Sequence, residues 1–108
     1  MIYEMRVYRC LPNRLPALLN RFANVTLTLW EKHGIKQAGF FTTLIGESNH
    51  ELTYFLAWES LADREKKWNG FMSDQAWITA RADSEKDGPI LQNISNQFLQ
   101  PTAFSAVK

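Results

Sequence analysis

Residues 58–77 read WESLADREKKWNGFMSDQAW. The local character of the chain changes three times within this stretch. It begins at the end of LTYFLAW (52–58), an apolar and aromatic run of strand length. Ser60 and Asp63 then stand at capping-box spacing, with Asp in place of the usual Glu, so a helix opens here. Leu61, Trp68, Phe71 and Met72 give that helix a face for a core. Gly70 marks its weakening end. Ser73-Asp74 offers a fresh cap, and a third, shorter helix carries Trp77, Ile78 and Arg81. Three of the four tryptophans lie in this one segment.

Working outward, residues 2–10 alternate and predict strand 1. Tyr3, Met5 and Val7 share one face; Glu4, Arg6 and Tyr8 share the other. Leu11-Pro12-Asn13 is a turn. Asn13 is placed to cap a helix that runs to Gly34, with Pro16 in the first turn, where a missing N–H costs nothing. Leu15, Leu18, Phe22, Val25 and Leu29 recur at alternating spacings of three and four, which predicts one buried stripe. GFFTTLI (39–45) predicts strand 2, linked to strand 3 by the short turn 46–50 as in a hairpin. Strand 4 is expected from about Ile90 to Leu99, with Pro101 ending it. The order is β-α-β-β-α-(α)-β. This predicts an α+β, ferredoxin-like fold with an antiparallel sheet. At 108 residues the chain is expected to be a single domain, 1–108.

Strands 2 and 3 are apolar on both faces, yet the helices of such a domain cover only one. A second copy is the simplest cover for the other. The expectation is a homodimer whose two sheets pack face to face and close into an α/β barrel.

Net charge is +1 with both signs interspersed, so the basic footprint of a nucleic-acid binder is absent. Arg64-Glu65-Lys66-Lys67 reads as a solvated helix face. No apolar run has membrane-spanning length, and no membrane partner is expected. The single Cys10 and the charged, alternating N-terminus fit a cytoplasmic protein.

Several segments resemble the NIPSNAP family: YEMRVY (3–8), WEKHG (30–34), WESLADRE (58–65) with Trp68 and Phe71, DQAW (74–77) and NQFLQPTAFS (96–105). Together they span almost the whole chain. The resemblance implies a similarity to dimeric α/β-barrel proteins. Some related barrel enzymes degrade haem and need an axial histidine on a helix beside the pocket. The third helix, Asp74 to Asp83, has none, so no haem is expected.

The residues that could carry chemistry are Glu4, Arg6 and Tyr8. If the apolar face of strand 1 meets the helices, this trio points between the two sheets. Arg6 could then clamp an anionic or carbonyl group, Tyr8 could donate a hydrogen bond, and Glu4 could serve as base or as partner to Arg6. The competing expectation is a structural Glu4–Arg6 ion pair. Trp58, Trp68 and Trp77 could line a pocket for a flat ligand, or simply pack a core. His33 suits the end of its helix, and His50 lies in a turn; neither has ligand spacing to a carboxylate, so no metal and no cofactor are expected. Two functional expectations follow. One is a barrel that binds a small hydrophobic or carbonyl-containing ligand around Glu4, Arg6, Tyr8 and Trp58, extending to a cofactor-free enzyme. The alternative is a non-catalytic interaction protein with a barrel filled by its own side chains.

Overall fold

The structure is a computed structural model describing residues 1–108. Four strands, β1 (Ile2–Cys10), β2 (Lys36–Thr42), β3 (Glu51–Trp58) and β4 (Leu91–Leu99), form one antiparallel sheet in the order β2-β3-β1-β4. This is the ferredoxin-like α+β architecture expected from the sequence. Between β1 and β2 run α1 (Leu15–Arg21), a π-helical stretch (Phe22–Thr26) and α2 (Leu27–His33), as one unbroken helical path. Between β3 and β4 lie α3 (Leu61–Met72) and α4 (Gln75–Ser84). No helix is long and apolar enough to cross a membrane.

The caps hold as the sequence implies. Ser60 Oγ accepts from Asp63 N at 3.0 Å, and the Asp63 carboxylate accepts from Glu59 N at 3.2 Å. Asp74 opens α4 by accepting from Ala76 N at 2.9 Å. Its other oxygen lies 2.7 Å from His33 Nε2 and 2.9 Å from Lys32 Nζ, which ties the end of α2 to the start of α4. Asn13 is not a cap. It turns the chain at φ 69°, and Arg14 precedes α1 without capping it, its guanidinium donating instead to Gly88 O and Pro89 O.

Strand β2 starts and ends three residues before the predicted Gly39–Ile45. Gly34, left-handed at φ 73°, ends α2 and buries Ile35 at once, so pairing begins at Lys36. Gly39, at φ 121°, sits in a register shift inside the strand instead of opening it. Leu44 and Ile45 consequently fall in a loop and are almost fully exposed.

Two packing expectations are also corrected. The π-helical stretch adds a residue to the turn, so the buried positions after it advance by one. Thr26 and Trp30 are buried, where the α-helical phase predicts Val25 and Leu29, which are half-buried. On α3 only Phe71 is fully buried. Trp68 is half-buried, and Leu61 and Met72 are exposed.

The largest correction concerns the faces of β1. Glu4, Arg6 and Tyr8 lie beneath the helices, while Tyr3, Met5 and Val7 are on the open side of the sheet. The register explains why. Arg6 pairs with Tyr54 and Glu4 with Leu56, so the polar trio shares its face with Leu52, Tyr54, Leu56 and Trp58, all buried. That set of large side chains on β3 recruits the helices, and β1 follows its neighbour.

Candidate functional site

Glu4 is fully buried and accepts five hydrogen bonds. The donors are Arg6 Nη1 (2.9 Å), Trp58 Nε1 (3.1 Å), Arg64 Nε and Nη2 (both 3.2 Å) and Asn96 Nδ2 (2.8 Å). A carboxylate has about four lone-pair sites, so no acceptor capacity is left. Burial alone would raise the Glu4 pKa. The donors from Asn96, Arg64 and Arg6, with the charge of Arg6, outweigh it and hold the group below its ordinary value. Glu4 is therefore a fixed anion and not a base. Trp58 spends its single donor on it. Both residues stand behind the site as supports.

Arg6 spreads its guanidinium over three partners: Glu4, Tyr54 Oη (2.8 Å, from Nε) and Tyr8 Oη (3.3 Å, from Nη2). Burial works against its charge, but the Tyr8 and Tyr54 oxygens and Glu4 more than offset this, and its pKa is raised. Tyr54 Oη accepts from Arg6 and donates to Tyr8 Oη at 3.1 Å. Burial pushes the Tyr54 phenol well above its ordinary pKa, so it stays protonated. Each hydroxyl has one proton to give. Tyr54 gives its proton to Tyr8, and Tyr8 already accepts from two donors. The proton of Tyr8 is then the free end of the chain Arg6, Tyr54, Tyr8.

That free end meets a cavity of about 280 Å³ between the sheet and the helices, which both Tyr8 and Arg6 line. The volume is at the lower edge of the roughly 300–1,000 Å³ of ligand pockets. Phe22 and Thr26 of the π-helical stretch, with Trp30, form one wall. Such stretches are frequent at functional sites because they shift side chains out of α-helical phase. Trp68, Trp77 and Arg81 come from α3 and α4, and Leu91 and Ile94 from the β4 side. Arg6 and Arg64 place their guanidinium carbons 4.7 and 4.9 Å from the Trp68 ring centre, a cation–π bracket that orients this half-buried ring.

Three buried side-chain polar atoms lack a partner: Arg21 Nε, Trp30 Nε1 and Trp77 Nε1. All three are donors, and all three belong to residues that line this cavity. Leaving a buried donor unpaired costs about 1–3 kcal/mol, which makes these residues candidates to meet an acceptor in the cavity.

Of the four residues singled out in the sequence, Arg6 and Tyr8 reach the cavity; Glu4 and Trp58 do not line it. Trp68 and Trp77 do line it, and Trp30 takes the place expected of Trp58. Arg21 and Arg81 were missed. A signal existed for Arg21. It stands three residues after Leu18 and four before Val25, so a charge sits on the apolar stripe. Cys10 is buried outside the cavity, and burial pushes its thiol pKa up, against a nucleophilic role.

Chemically, the arrangement offers hydrogen-bond donors to an oxygen. It holds a hydroxyl ready to donate, a permanently charged arginine behind it, and aromatic walls.

The model of the NIPSNAP family matches residues 3–106. Among solved structures, a NIPSNAP family protein of unknown function from Agrobacterium tumefaciens is 27% identical, with TM-score 0.87, covering 100% of this chain and 94% of its own. An uncharacterised NIPSNAP domain protein from Burkholderia xenovorans is 22% identical, with TM-score 0.84 over 97% of this chain and 98% of its own. A MhuD mutant with two manganese protoporphyrin IX bound per active site is 18% identical, with TM-score 0.64 and 94% coverage of each chain, a likeness of fold alone. No protein of curated function matches the sequence.

Proposed function

The chain belongs to the NIPSNAP family, and we propose that it captures a small, largely apolar molecule bearing a carbonyl or similar oxygen in the cavity between its sheet and helices. The observation that carries this reading is the Tyr8 hydroxyl. Its acceptor capacity is taken by Arg6 and Tyr54, its proton has no acceptor within the chain, and the residue lines a space walled by Phe22, Trp30 and Trp77. A side-chain relay that ends on a donor calls for an acceptor, and an apolar wall calls for an apolar body. If chemistry follows capture, the donors would polarise the bound oxygen, as expected of an enzyme that carries no cofactor.

We further propose that the protein works as a homodimer closed into an α/β barrel. The supporting observation is the open face of the sheet. There Tyr3, Met5, Val7 and Phe55 are only half-buried, and Phe41 and Leu99 are exposed. Light scattering should give twice the chain mass of 12.5 kDa.

Acetophenone, a neutral aromatic ketone, tests the pocket. It should quench the emission of the cavity tryptophans saturably, and Tyr8→Phe should weaken its binding about five- to tenfold, the worth of one hydrogen bond. Equal binding by both proteins would refute the assignment of Tyr8.

A further inference from the structure

The three orphaned donors are not explained by a ligand that merely meets Tyr8. Arg21 is 4% exposed. Its Nη1 is divided between Ser84 Oγ at 3.3 Å and Glu85 at 3.6 Å, while its Nε has no partner. Its guanidinium lies 5.4 Å from the Trp77 ring centre, and the Trp77 N–H is likewise unpaired. Burial, the dominant influence, lowers the Arg21 pKa, so its surroundings under-compensate its charge. Three arginines, Arg6, Arg21 and Arg81, line the space against one acid, Glu85. Glu4 stands behind Arg6 but is shared with Arg64, so arginines outnumber acids in and behind the lining.

We infer that the ligand is an anion: a flat, largely apolar carboxylic acid whose carboxylate is received by Arg21 and the Trp77 N–H while a second oxygen takes the proton of Tyr8. This rests on the pocket reading above and narrows it. A neutral ketone satisfies Tyr8 and leaves Arg21 Nε and the indole donors unmet. A hydroxyl or amine group brings further donors to a site already short of acceptors. A carboxylate supplies two oxygens with several lone pairs and a negative charge to a lining in which arginines outnumber acids.

The test compares two probes of one shape, 4-acetylbenzoate and 4-acetylbenzamide, by calorimetric titration of the wild-type protein and of Arg21→Met and Tyr8→Phe. The acid should bind at least tenfold more tightly than the amide. Arg21→Met should erase that preference, keeping a melting temperature at or above that of the wild type because it removes an under-compensated buried charge. Tyr8→Phe should weaken both probes. Should Arg21→Met fail to fold, Arg21→Lys carries the same comparison, since it keeps the charge, loses the planar fork and should reduce the preference. Acid and amide bound equally, with both weakened by Tyr8→Phe, overturns the anion inference and leaves the pocket reading standing. Binding of neither probe, or binding of both unchanged by Tyr8→Phe, overturns the pocket reading and this inference with it.

Discussion

The two faces of the sheet invert the usual relation between polarity and burial. On β1 the helix-covered face carries Glu4, Arg6 and Tyr8, and the open face carries Tyr3, Met5 and Val7. By hydrophobicity alone the assignment would be reversed. The covered face is polar only in composition. Its Glu4, Arg6, Tyr8, Tyr54 and Trp58 bond to one another, so all but the Tyr8 proton is compensated and the face packs as a core. The open face has no such network, and only the C-terminal segment, through Pro101, Ser105 and Val107, comes beside its Tyr3 and Phe55. Burial thus follows what can be satisfied, and apolar residues left outside become a surface for a second molecule.

The sharpest way to break this comparison is to remove the anion at the centre of the covered face. Glu4→Ala leaves Arg6 and Arg64 without their common partner and should cost about 3–5 kcal/mol in urea unfolding. An unmoved midpoint would mean that the network is not what permits its burial. The open face should behave differently. Met5→Asp should preserve the fold by circular dichroism but yield a species of 12.5 kDa by light scattering. A dimer that survives this substitution places the contact elsewhere.

Acid sharpens the contrast further. The folded-state pKa of Glu4 lies below its ordinary 4.5, so its contribution is fully present above that pH. The contribution is lost as pH falls through the depressed folded value. Melting temperature should therefore hold from neutrality down to the ordinary carboxylate pKa and drop below it. A protein that melts alike throughout would show that Glu4 is not tied as described. The smallest effects come from two neighbours on β3 that point oppositely. Tyr54→Phe strands the Nε of Arg6 and should cost about 1–3 kcal/mol. Thr53→Val on the other face should stay within about 0.5 kcal/mol. Equal costs for the pair would erase the distinction between the faces.

Much of the fold was legible in the residues themselves. Strands β1, β3 and β4 follow from alternation and from the apolar run before Trp58. The helix starts at Ser60 and Asp74 follow from cap chemistry, which is local and so readable in one dimension. The errors share a different origin. The inverted faces of β1 depend on which β3 residues lie opposite, information held 48 residues away in Tyr54. The displaced β2 depends on Gly39 serving as a bulge and not a boundary. The site was half legible: Arg6 and Tyr8 stood out by spacing. Arg21, Trp30 and Trp77 become neighbours of one cavity only once the helices are laid across the sheet.

The π-helical stretch fixes how this cavity can change. A π turn holds one residue more than an α turn, and each residue of helix rotates the chain by about 100°. Deleting a single residue between Phe22 and Thr26 would restore α-helical spacing, so that Trp30 falls two α turns beyond Phe22 and still meets the sheet, while the widened turn that forms this wall is lost. The loop at 43–50 can lengthen or shorten with little consequence for the interior. At 22–26 the number of residues matters as much as their identity. The shape of this wall is therefore set by the length of the chain there before it is set by side chains.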